Sequence, residues 1–513
     1  MADLDPSCTS SDYDCMIDYW CMVDSILGGA PAMREAGIKY LPRFQNEKAT
    51  KDADGNAYDP YEQRRRHAPF TNIYADNSRN LASKPFAKEL KLKDGAPAQY
   101  SKLGENIDGQ GNSFHVVGAD VFKRGLDKGI DWVLVDYTKV PAGATLAAER
   151  QMGARPYWVH VPSERLLAVY SDFVNGQEVI YHARIEENAT ALDGFDEVCI
   201  ERVRVLERQR LVDADGNTVG FAPATWAIWE ATTETVNGSA QKVWAMTATG
   251  PITIGVIPLV PFIAGDRRGS SWIVEPPLRD VAFLQIEEYQ QESNLKNIAD
   301  LTCFPMLTGN GVTPPADGIV PVGPRAVLFA PMGADGTFGG WEFIEPTAES
   351  IQKIMDRLDK TQTMMRDLGA QPMMQANLTV VMSNQQAVKA NSQVQAWAFK
   401  FKDAMEQCWK LTAMWLGAKD EPEVEIHTDF SIDFQDSAEM QQLNTAQSQG
   451  VVSKRLLFSE YQRRGMISEN ANFDKDQEDV AKDQEGLEPE QNIDPVTGQP
   501  IDPTVPPSQQ QAA

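Results

Sequence analysis

Two carboxylate-rich segments of the chain carry the residue types that bind calcium. They are Asp52-Ala-Asp-Gly-Asn56 and Asp213-Ala-Asp-Gly-Asn217. Oxygen ligands suit a hard cation, but an EF-hand loop requires a glycine at its sixth position and a bidentate acid at its twelfth, and neither segment supplies both. Asp-Gly-Asn tolerates positive φ and is typical of tight turns. We therefore interpret both segments as turns between strands, with a calcium loop as the alternative.

The cysteines and histidines form no recognised metal-binding or redox pattern. The six cysteines include no Cys-x-x-Cys pair, which would mark a zinc ribbon or a dithiol motif. Cys8, Cys15 and Cys21 are close in sequence, but no histidine precedes His67, so metal binding there is the alternative to reduced thiols. The remaining histidines are isolated, and we expect them to be packed or solvated. The sequence predicts no cofactor and no metal.

Catalytic motifs are also lacking. Gly109-Gln-Gly111 stands before a helical segment, as in a phosphate-binding loop, but no strand runs into it and the third glycine is misplaced. The sequence contains no Gly-x-x-x-x-Gly-Lys-Ser/Thr, Gly-x-Ser-x-Gly or His-Glu-x-x-His, the motifs of P-loop ATPases, α/β-hydrolases and zinc proteases. Two acidic pairs, Glu186-Glu187 and Glu287-Glu288, are interpreted as solvated faces. We predict that the chain is not an enzyme.

Length and charge narrow the class of protein further. With 513 residues and 42% hydrophobic content, the chain is expected to fold into two to four domains. A formal charge of −26 argues against a tight grip on nucleic acid, which requires clustered lysine and arginine. No apolar run is long enough to span a bilayer, and the acidic residues 1–6 lack the order of a signal peptide. We expect synthesis in the cytoplasm and no membrane association.

The first half of the sequence predicts a helix, a long loop and then an α+β domain. Apolar residues at helical spacing over 12–27 predict a helix that Gly28-Gly29 ends. Residues 43–68, which include Arg64-Arg65-Arg66, are polar and predict a long loop. Two prolines make 258–265 an edge strand or a connection rather than a central strand. Between the long loop and this edge strand, the sequence predicts one helix and seven strands. The helix covers 121–126, and the strands are at 131–136, 157–161, 166–170, 178–181, 201–206, 225–229 and 243–246.

Two helices flank an insert in the second half of the sequence. The first is predicted over residues 278–302, and its part at 285–294 has so little apolar surface that it fits a ring of copies or a wet channel better than a core. Residues 304–346 predict short strands and tight turns. The second helix is capped by Thr347 and ends at Gly369.

The last third of the chain is predicted to run from a loop through a long helix to a disordered tail. The uncharged residues 371–381 predict the loop, and 383–416 predict a helix whose apolar stripe indicates core packing. Residues 424–434 alternate as a strand. Ser453 and Gly465 bound a short helix. Acidic and proline-rich composition from residue 470 onward predicts disorder.

Several short phrases accompany these elements in order. They are Leu27-Gly-Gly-Ala-Pro-Ala-Met-Arg34 with Tyr40-Leu-Pro42, Ile257-Pro-Leu-Val-Pro261, Glu275-Pro-Pro-Leu-Arg-Asp-Val-Ala282, and Gly450 to Ile467 with its Gln462-Arg-Arg-Gly465 and the acidic Phe473 to Asp479 after it. Over about residues 12–480 the chain resembles the portal proteins of tailed bacteriophages. None of these phrases is a chemical motif, so the resemblance lies in their combined order.

The resemblance implies an α+β portal architecture with wing, stem, clip and crown. Its segments would be N-terminal helices and an α+β wing at 1–276, a first stem helix at 277–303, a clip at 304–346, a second stem helix at 347–369, a tunnel loop at 370–382, a long helix and return strand to the wing at 383–436, crown helices at 437–470 and a disordered tail at 471–513.

The function implied by the resemblance is mechanical. A homo-oligomeric ring, expected to be a dodecamer, would form the portal vertex of the virion and pass double-stranded DNA without sequence specificity during packaging and ejection. The implied partners are the terminase packaging motor, the head–tail adaptor, and the major capsid and scaffolding proteins. A ring of such acidic chains would repel the DNA backbone and let it slide. The resemblance places Gln371, Met373, Met374, Gln375 and Asn377 in the channel loop and Val322, Arg325, Phe329 and Trp341 in the clip.

Some alternatives stay open on the sequence alone. Arg64 to Arg66 could meet a neighbouring subunit or packaged DNA, or form an exposed basic turn. The chain could be another virion structural protein, such as a head–tail adaptor, or an enzyme of unknown type whose ionisable groups converge only in the fold. The order helix, insert, helix, loop, helix favours a portal over an adaptor, because an adaptor needs neither a stem nor a tunnel loop.

Overall fold

The structure is a computed structural model of the chain. It describes residues 5–45, 47–51, 57–141, 145–236, 239–302, 306–310, 312, 339–344, 349–369, 380–428, 430, 437–463, 467 and 471–485. The chain divides into two compact units, Met1–Phe430 and Ser431–Ala513. All 11 tryptophans belong to the first unit.

Ten of the described α-helices belong to the first unit. They are α1 (Ser11–Leu27), α2 (Gly29–Ala36), α3 (Pro60–His67), α4 (Ile73–Ser83), α5 (Ala98–Gly104), α6 (Phe114–Lys128), α7 (Leu146–Gln151), α8 (Arg279–Thr302), α9 (Glu349–Leu368) and α10 (Val380–Leu416). Short 3₁₀ helices lie at Gly37–Lys39, Lys84–Phe86 and Ser163–Arg165. The helices predicted over 12–27 and 278–302 are confirmed as α1 and α8. None of the described helices combines the length and apolarity needed to cross a bilayer.

The strands of the first unit form two larger antiparallel sheets and several pairs. They are β1 (Thr50–Lys51), β2 (Ala57–Tyr58), β3 (Lys91–Leu92), β4 (Ile130–Tyr137), β5 (Pro156–Val161), β6 (Leu166–Val174), β7 (Gln177–Glu186), β8 (Ala189–Asp193), β9 (Asp196–Ile200), β10 (Arg202–Glu207), β11 (Arg210–Val212), β12 (Thr218–Phe221), β13 (Thr225–Val236), β14 (Ser239–Pro251), β15 (Leu259–Ile263), β16 (Asp266–Arg267), β17 (Val274–Glu275), β18 (Met306–Asn310), β19 (Gly340–Ile344) and β20 (Val424–Glu425).

The sheet order follows the hairpins of the sequence. Five strands are arranged β14-β13-β10-β7-β6, and three are arranged β15-β4-β5. The other pairs are β1-β2, β3-β20, β8-β9, β11-β12, β16-β17 and β18-β19. Long helices and antiparallel sheets occur in separate stretches of one chain, so the predicted α+β class is confirmed.

Strand β4 lies between two hydrophobic clusters of the first unit. Side chains alternate between the two faces of a strand. Val133 and Val135 belong to a cluster with residues of α4, α6 and α10, whereas Trp132 and Leu134 belong to a cluster with residues of β7, β10 and β15. Because both faces are buried, the sequence of β4 is almost continuously apolar, and the strand predicted at 131–136 is confirmed.

Helix α10 passes through the larger cluster. Phe401, Cys408 and Trp409 are fully buried. The Phe401 ring meets the rings of Phe122 and Phe262 edge to face, at centroid distances of 5.4 and 5.0 Å. Burial raises the pKa of the Cys408 thiol, so this cysteine acts as a packing residue and not as a nucleophile. The predicted apolar stripe is confirmed as core packing.

One prediction about an edge strand is confirmed, one hairpin was missed, and one predicted strand is too long. Strand β15 is the outermost strand of its sheet, so the edge position predicted for 258–265 is confirmed. The hairpin of β8 and β9 was not predicted, because its mostly exposed side chains leave no alternating apolar pattern. The strand predicted over 424–434 is too long: β20 has two residues, which pair with Leu92 and Lys91, and residues 426–428 carry no ladder hydrogen bonds.

The Asp-Gly-Asn segment after β11 forms the predicted turn. The Asp213 carboxylate accepts hydrogen bonds from the N–H groups of Asp215 and Asn217 at 3.0 and 2.8 Å. Gly216 has a φ of 85°, a conformation that glycine adopts without strain. The carboxylate therefore satisfies the backbone of its own turn. The earlier copy, at 52–56, lies outside the described residues, between the paired strands β1 and β2.

Two predictions about helix boundaries are wrong. The loop predicted over 43–68 contains α3, where Asp59 caps the Tyr61 N–H and Pro60 occupies the first turn. Its charged sequence has no apolar stripe from which periodicity could reveal a helix. Helix α10 begins at Val380, three residues before the predicted start at Ser383, because a serine favours an N-cap but is also accommodated inside a helix.

The second unit contains three described helices, α11 (Ser437–Ser448), α12 (Lys454–Arg463) and α13 (Phe473–Glu485). The Ser453 hydroxyl accepts from the Leu456 N–H at 3.1 Å, which confirms the predicted cap, while Gly465 lies outside the described residues. The disorder predicted from 471 onward is wrong for α13. Its Phe473 ring packs on Phe458 at 5.4 Å, a contact that composition alone does not reveal.

Candidate functional site

The predicted site residues fall in or between three helices and two strands. Strands β18 and β19 lie between α8 and α9 in sequence, and residues 370–379 connect α9 to α10. Of the residues predicted for the clip, Trp341 lies in β19, whereas Val322, Arg325 and Phe329 lie outside the described residues. The predicted channel residues Gln371, Met373, Met374, Gln375 and Asn377 also lie outside them.

Strands β18 and β19 hold together the two ends of residues 311–339. They pair from Met306 with Ile344 to Asn310 with Gly340. The half-buried Trp341 stands opposite Gly309, where an added Cβ would lie 2.9 Å from the indole ring. The glycine therefore allows the indole to lie close to the neighbouring strand.

The surface between α8 and α9 is polar and buried. Glu288 is fully buried, and Gln291 and Thr361 are 9% and 6% exposed. Gln362 donates to Glu288 at 3.0 Å, and the Thr361 hydroxyl donates to Gln291 at 3.4 Å. The prediction that 285–294 faces a wet channel or another copy is wrong for these residues, because α9 of the same chain covers them. The acidic pair Glu287-Glu288 is likewise not fully solvated.

Glu288 is the electrostatic centre of this surface. Burial raises its pKa to about 8, and the neighbouring Glu292 carboxylate acts in the same direction. Gln285 and Gln362 each donate to one oxygen of Glu288, at 2.9 and 3.0 Å. Glu292 accepts from the Thr71 hydroxyl through Oε1, whereas its buried Oε2 has no hydrogen-bond partner among the described residues. The raised pKa favours a protonated Glu288 at neutral pH, and its O–H can act as a donor towards Glu292.

Helix α9 ends against α4. Asn77 is fully buried and donates from Nδ2 to the Met365 carbonyl at 2.9 Å. The Gly369 N–H donates to the same carbonyl, also at 2.9 Å. An added Cβ on Gly369 would lie 2.2 Å from the Asn77 side chain, so only a glycine permits this approach. The helix end predicted at Gly369 is confirmed, and residues 370–379 begin at a point anchored to α4.

Arg64 lies in a buried ion pair. Its side chain is 4% exposed, and that of its partner Glu47 is 7% exposed. The guanidinium donates to both Glu47 oxygens at 2.6 and 2.9 Å, to the Pro42 carbonyl at 2.8 Å and to the Ser293 hydroxyl of α8 at 3.2 Å. Burial raises the pKa of Glu47, but the hydrogen bonds from Arg64 and from the Phe44 N–H outweigh it and leave that pKa below its ordinary value.

The three consecutive arginines therefore do not form one basic surface. Arg65 is half-buried and pairs with Glu62 at 2.6 Å, and Arg66 is exposed. An exposed basic turn, or a contact with DNA or another subunit, is wrong for Arg64, because its donors are already used within the chain. Helical geometry turns successive side chains about 100° apart, which separates the three arginines.

The outer surfaces of α8 and α9 carry large apolar side chains. Phe283, Met355, Met364 and Leu368 are 52%, 44%, 47% and 51% exposed. Exposed apolar residues gathered on neighbouring helices are typical of surfaces that another protein covers. The helix pair thus buries polar side chains between its two helices and exposes some of its apolar side chains to solvent.

The buried ionisable side chains Arg64 and Glu288 each contact another helix of the same chain. Within the described residues, no group of three or more histidine, cysteine, aspartate or glutamate side chains is placed to hold a metal ion. The strongest ionisable cluster, Glu288 with Glu292, is enclosed by α4 and α9. The burial of Glu288 and Arg64 was not predicted. The recurrence of Gln285, Glu288 and Glu292 on one helical face is the only sequence signal that could have indicated a polar contact surface.

The chain matches one protein-family model and is similar to a solved structure. A family model described as "Domain of unknown function (DUF4055)" matches residues 277–416, which run from just before α8 to the end of α10. No curated protein matches the sequence. Among solved structures, the chain is similar to one described as "Neck of native GTA particle computed with C12 symmetry", with a TM-score of 0.36 and 12% identity over 90% of this chain and 99% of that chain. Similarity at this level does not establish a shared fold.

Proposed function

We propose that the chain is the portal protein of a tailed bacteriophage. It would form a ring at one capsid vertex, admit double-stranded DNA during packaging, release it at ejection, and dock the packaging motor and later the tail adaptor. The observation that carries the proposal is the order and pairing of α8, β18, β19, α9 and α10. The sequence resemblance to portal proteins follows the same order, and the family match covers the same stretch.

The helix pair suits the wall of a channel. Helices α8 and α9 are joined by hydrogen bonds across their buried polar surface and present exposed apolar residues outside it. Helix α10 has 37 residues and spans roughly 55 Å at 1.5 Å per residue, and its fully buried Phe401 and Trp409 fix it in the core.

The segments that connect α8 with α9 and α9 with α10 would carry the contacts. Residues 311–339 begin and end at a strand pair, which suits a clip that docks the motor and the adaptor through Val322, Arg325, Phe329 and Trp341. Residues 370–379 begin at the anchored Gly369 and would form the channel loop. Gln371, Met373, Met374, Gln375 and Asn377 carry no charge and would touch a sliding phosphate backbone without holding it.

Electron microscopy of the purified full chain tests the proposal. We expect class averages of a closed ring, twelvefold if the dodecamer implied by the sequence resemblance is right, with a central channel wide enough for duplex DNA. A compact monomer at every salt concentration would contradict the proposal. A closed ring that lacks a long two-helix stem would instead favour a head–tail adaptor.

The exposed apolar residues of α9 should be needed for assembly. We expect the double substitution Met364→Asp with Leu368→Asp to abolish rings, because it places charge where a neighbouring copy would cover apolar surface. The matched control, Lys360→Ser with Asp367→Ser on exposed positions of the same helix, should leave rings intact. Size-exclusion chromatography with light scattering gives the mass of each variant, and tryptophan fluorescence shows whether it is folded. Loss of rings in the control alone would overturn the assignment of this surface.

A further inference from the structure

A cavity of about 480 Å³ lies in the Met1–Phe430 unit, away from the α8–α9 surface. It is bounded by the edge strand β15, the start of β7 and one face of α10. Its walls include Ile257, Leu259, Leu411 and Met414. Met414 is 39% exposed, so the cavity is a groove that opens to solvent. Its apolar walls can take an aliphatic side chain.

The backbone of β15 offers hydrogen-bond donors along this groove. The Val135 N–H donates to the Pro258 carbonyl at 2.8 Å, and the Ala264 N–H donates to the Gly129 carbonyl at 3.0 Å. Hydrogen-bonded residues alternate along an antiparallel strand, so the N–H groups of Leu259 and Ile263 point away from β4. Because β15 is the outermost strand of its sheet, these donors face no other strand of that sheet.

The indole of Trp272 forms a further wall of the groove. Trp272 is 8% exposed and lines the cavity, and its Nε1–H has no hydrogen-bond partner among the described residues. The indole is held in place by the Arg267 guanidinium, which lies 3.8 Å from the ring centroid and makes two hydrogen bonds of 2.7 Å to Glu178. The N–H itself is out of contact with solvent, so the indole contributes a fixed ring wall to the groove and not a donor.

The groove also contains a positive charge without a counter-ion. Arg208 donates from Nε to the Ala222 carbonyl at 2.9 Å and stacks over the Phe221 ring at 5.2 Å. No described carboxylate pairs with it, and burial lowers its pKa. The other basic residues that line the groove are paired: Arg267 with Glu178, and Lys410 with Glu421 at 3.4 Å. Among the basic residues that line the groove, Arg208 is thus the one that pairs with no described carboxylate.

We propose that this groove binds an extended peptide segment of a partner protein, in which an apolar side chain stands next to a carboxylate. The carboxylate would pair with Arg208 and the apolar side chain would enter between Leu259, Leu411 and Met414. Peptide carbonyls would accept from the free N–H groups of β15, as in strand addition to a sheet edge. The unsatisfied groups are donors, which complements an acidic segment and not a basic one.

Pro261 argues for a short segment rather than a second copy of this chain. It occupies the middle outward-facing position of β15 and has no N–H to offer. A proline at that position interrupts the ladder that a long neighbouring strand would form, which is how edge strands avoid pairing with copies of themselves. Only a few residues of a partner can add to this edge. The proposal does not depend on whether the chain forms a ring.

The test is selection of peptides from a random octapeptide library displayed on phage, with the immobilised full chain as the target. We expect the enriched peptides to carry an aspartate or glutamate beside an aliphatic or aromatic residue. One enriched peptide, synthesised with a fluorophore, should lose at least tenfold in affinity when its acid is replaced by the amide. It should lose as much against Arg208→Gln, since a charge-assisted contact is removed.

The control is Arg210→Gln, which removes an exposed arginine two residues away that lies over the Tyr181 ring. It should leave the affinity unchanged, and Trp272→Phe should weaken binding while the chain stays folded. Equal losses in the Arg208 and Arg210 variants would show non-specific attraction and overturn the proposal. So would the absence of enrichment, or enrichment of non-acidic peptides. Concentration-dependent hydrogen-exchange protection of residues 259–263 without peptide would instead assign the groove to a second copy.

Discussion

The Arg64→Ala variant is expected to lose about 3–5 kcal/mol of the free energy of unfolding of the Met1–Phe430 unit, as when one partner of a buried ion pair is removed. The Glu47 carboxylate would stay 7% exposed without its main hydrogen-bond donor. The substitution also frees the Pro42 carbonyl and the Ser293 hydroxyl. It thus removes the hydrogen bond that joins Arg64 of α3 to Ser293 of α8. Urea unfolding followed by tryptophan fluorescence measures the loss, because all 11 tryptophans report on this unit.

Arg66→Ala is the matched control for Arg64→Ala. Arg66 lies on the same helix and is exposed, so its removal should change the free energy of unfolding by no more than about 0.5 kcal/mol. The double substitution Arg64→Met with Glu47→Leu should recover most of the stability, because it removes both buried charges and keeps apolar volume. A cost below about 1 kcal/mol for Arg64→Ala would mean that water reaches Glu47 and that the pair is not a structural link.

Local sequence patterns were sufficient to predict those elements whose buried residues recur at a regular spacing. Helix α1 was predicted because its apolar residues recur about every 3.6 residues, and strand β4 because its apolar residues are almost consecutive. In both elements these apolar residues are the ones that pack in the core. The edge position of β15 followed from its prolines. The apolar stripe of α10 was predicted for the same reason. Helical spacing alone aligns these side chains on one face, and that face makes the core contacts.

The polar interior could not be predicted from local patterns. Arg64 is buried because Ser293, 229 residues away in sequence, and Glu47 meet it. Glu288 is buried because Gln362, 74 residues away, covers it. Charged and amide side chains have the same local appearance on a solvated face and in a buried network. Only the tertiary partners distinguish the two, so both residues were predicted from the sequence to face solvent or another subunit.

The raised pKa of Glu288 predicts that the stability of the first unit falls as pH rises. An ordinary glutamate in the unfolded chain titrates near 4.3, whereas burial and Glu292 raise the pKa of Glu288 in the folded chain to about 8. Between these values the folded state holds a proton that the unfolded state has released. This contribution is therefore complete below about pH 4.3 and is lost progressively up to about pH 8, by at most about 1.4 kcal/mol per pH unit.

Glu288→Gln should remove this pH dependence. The amide is nearly isosteric, accepts from Gln362 through its oxygen and can donate to Glu292 through its nitrogen. It gives up the bond that Glu288 Oε2 accepts from Gln285, but it carries no titrating proton. We expect the variant to unfold at a higher urea concentration than the parent chain at pH 8.5 and to show a flatter slope between pH 5 and 8.

Glu287→Gln is the control for Glu288→Gln. Glu287 pairs with Arg357 at 2.8 Å, with side chains 42% and 70% exposed, and a pair so open to solvent contributes little. This variant should therefore keep the slope of the parent chain. Parallel pH profiles for the parent chain and Glu288→Gln would mean that Glu288 is ionised in the folded chain. In that case the contact between α8 and α9 would rest on two buried negative charges, an arrangement that requires a cation or bound water between them.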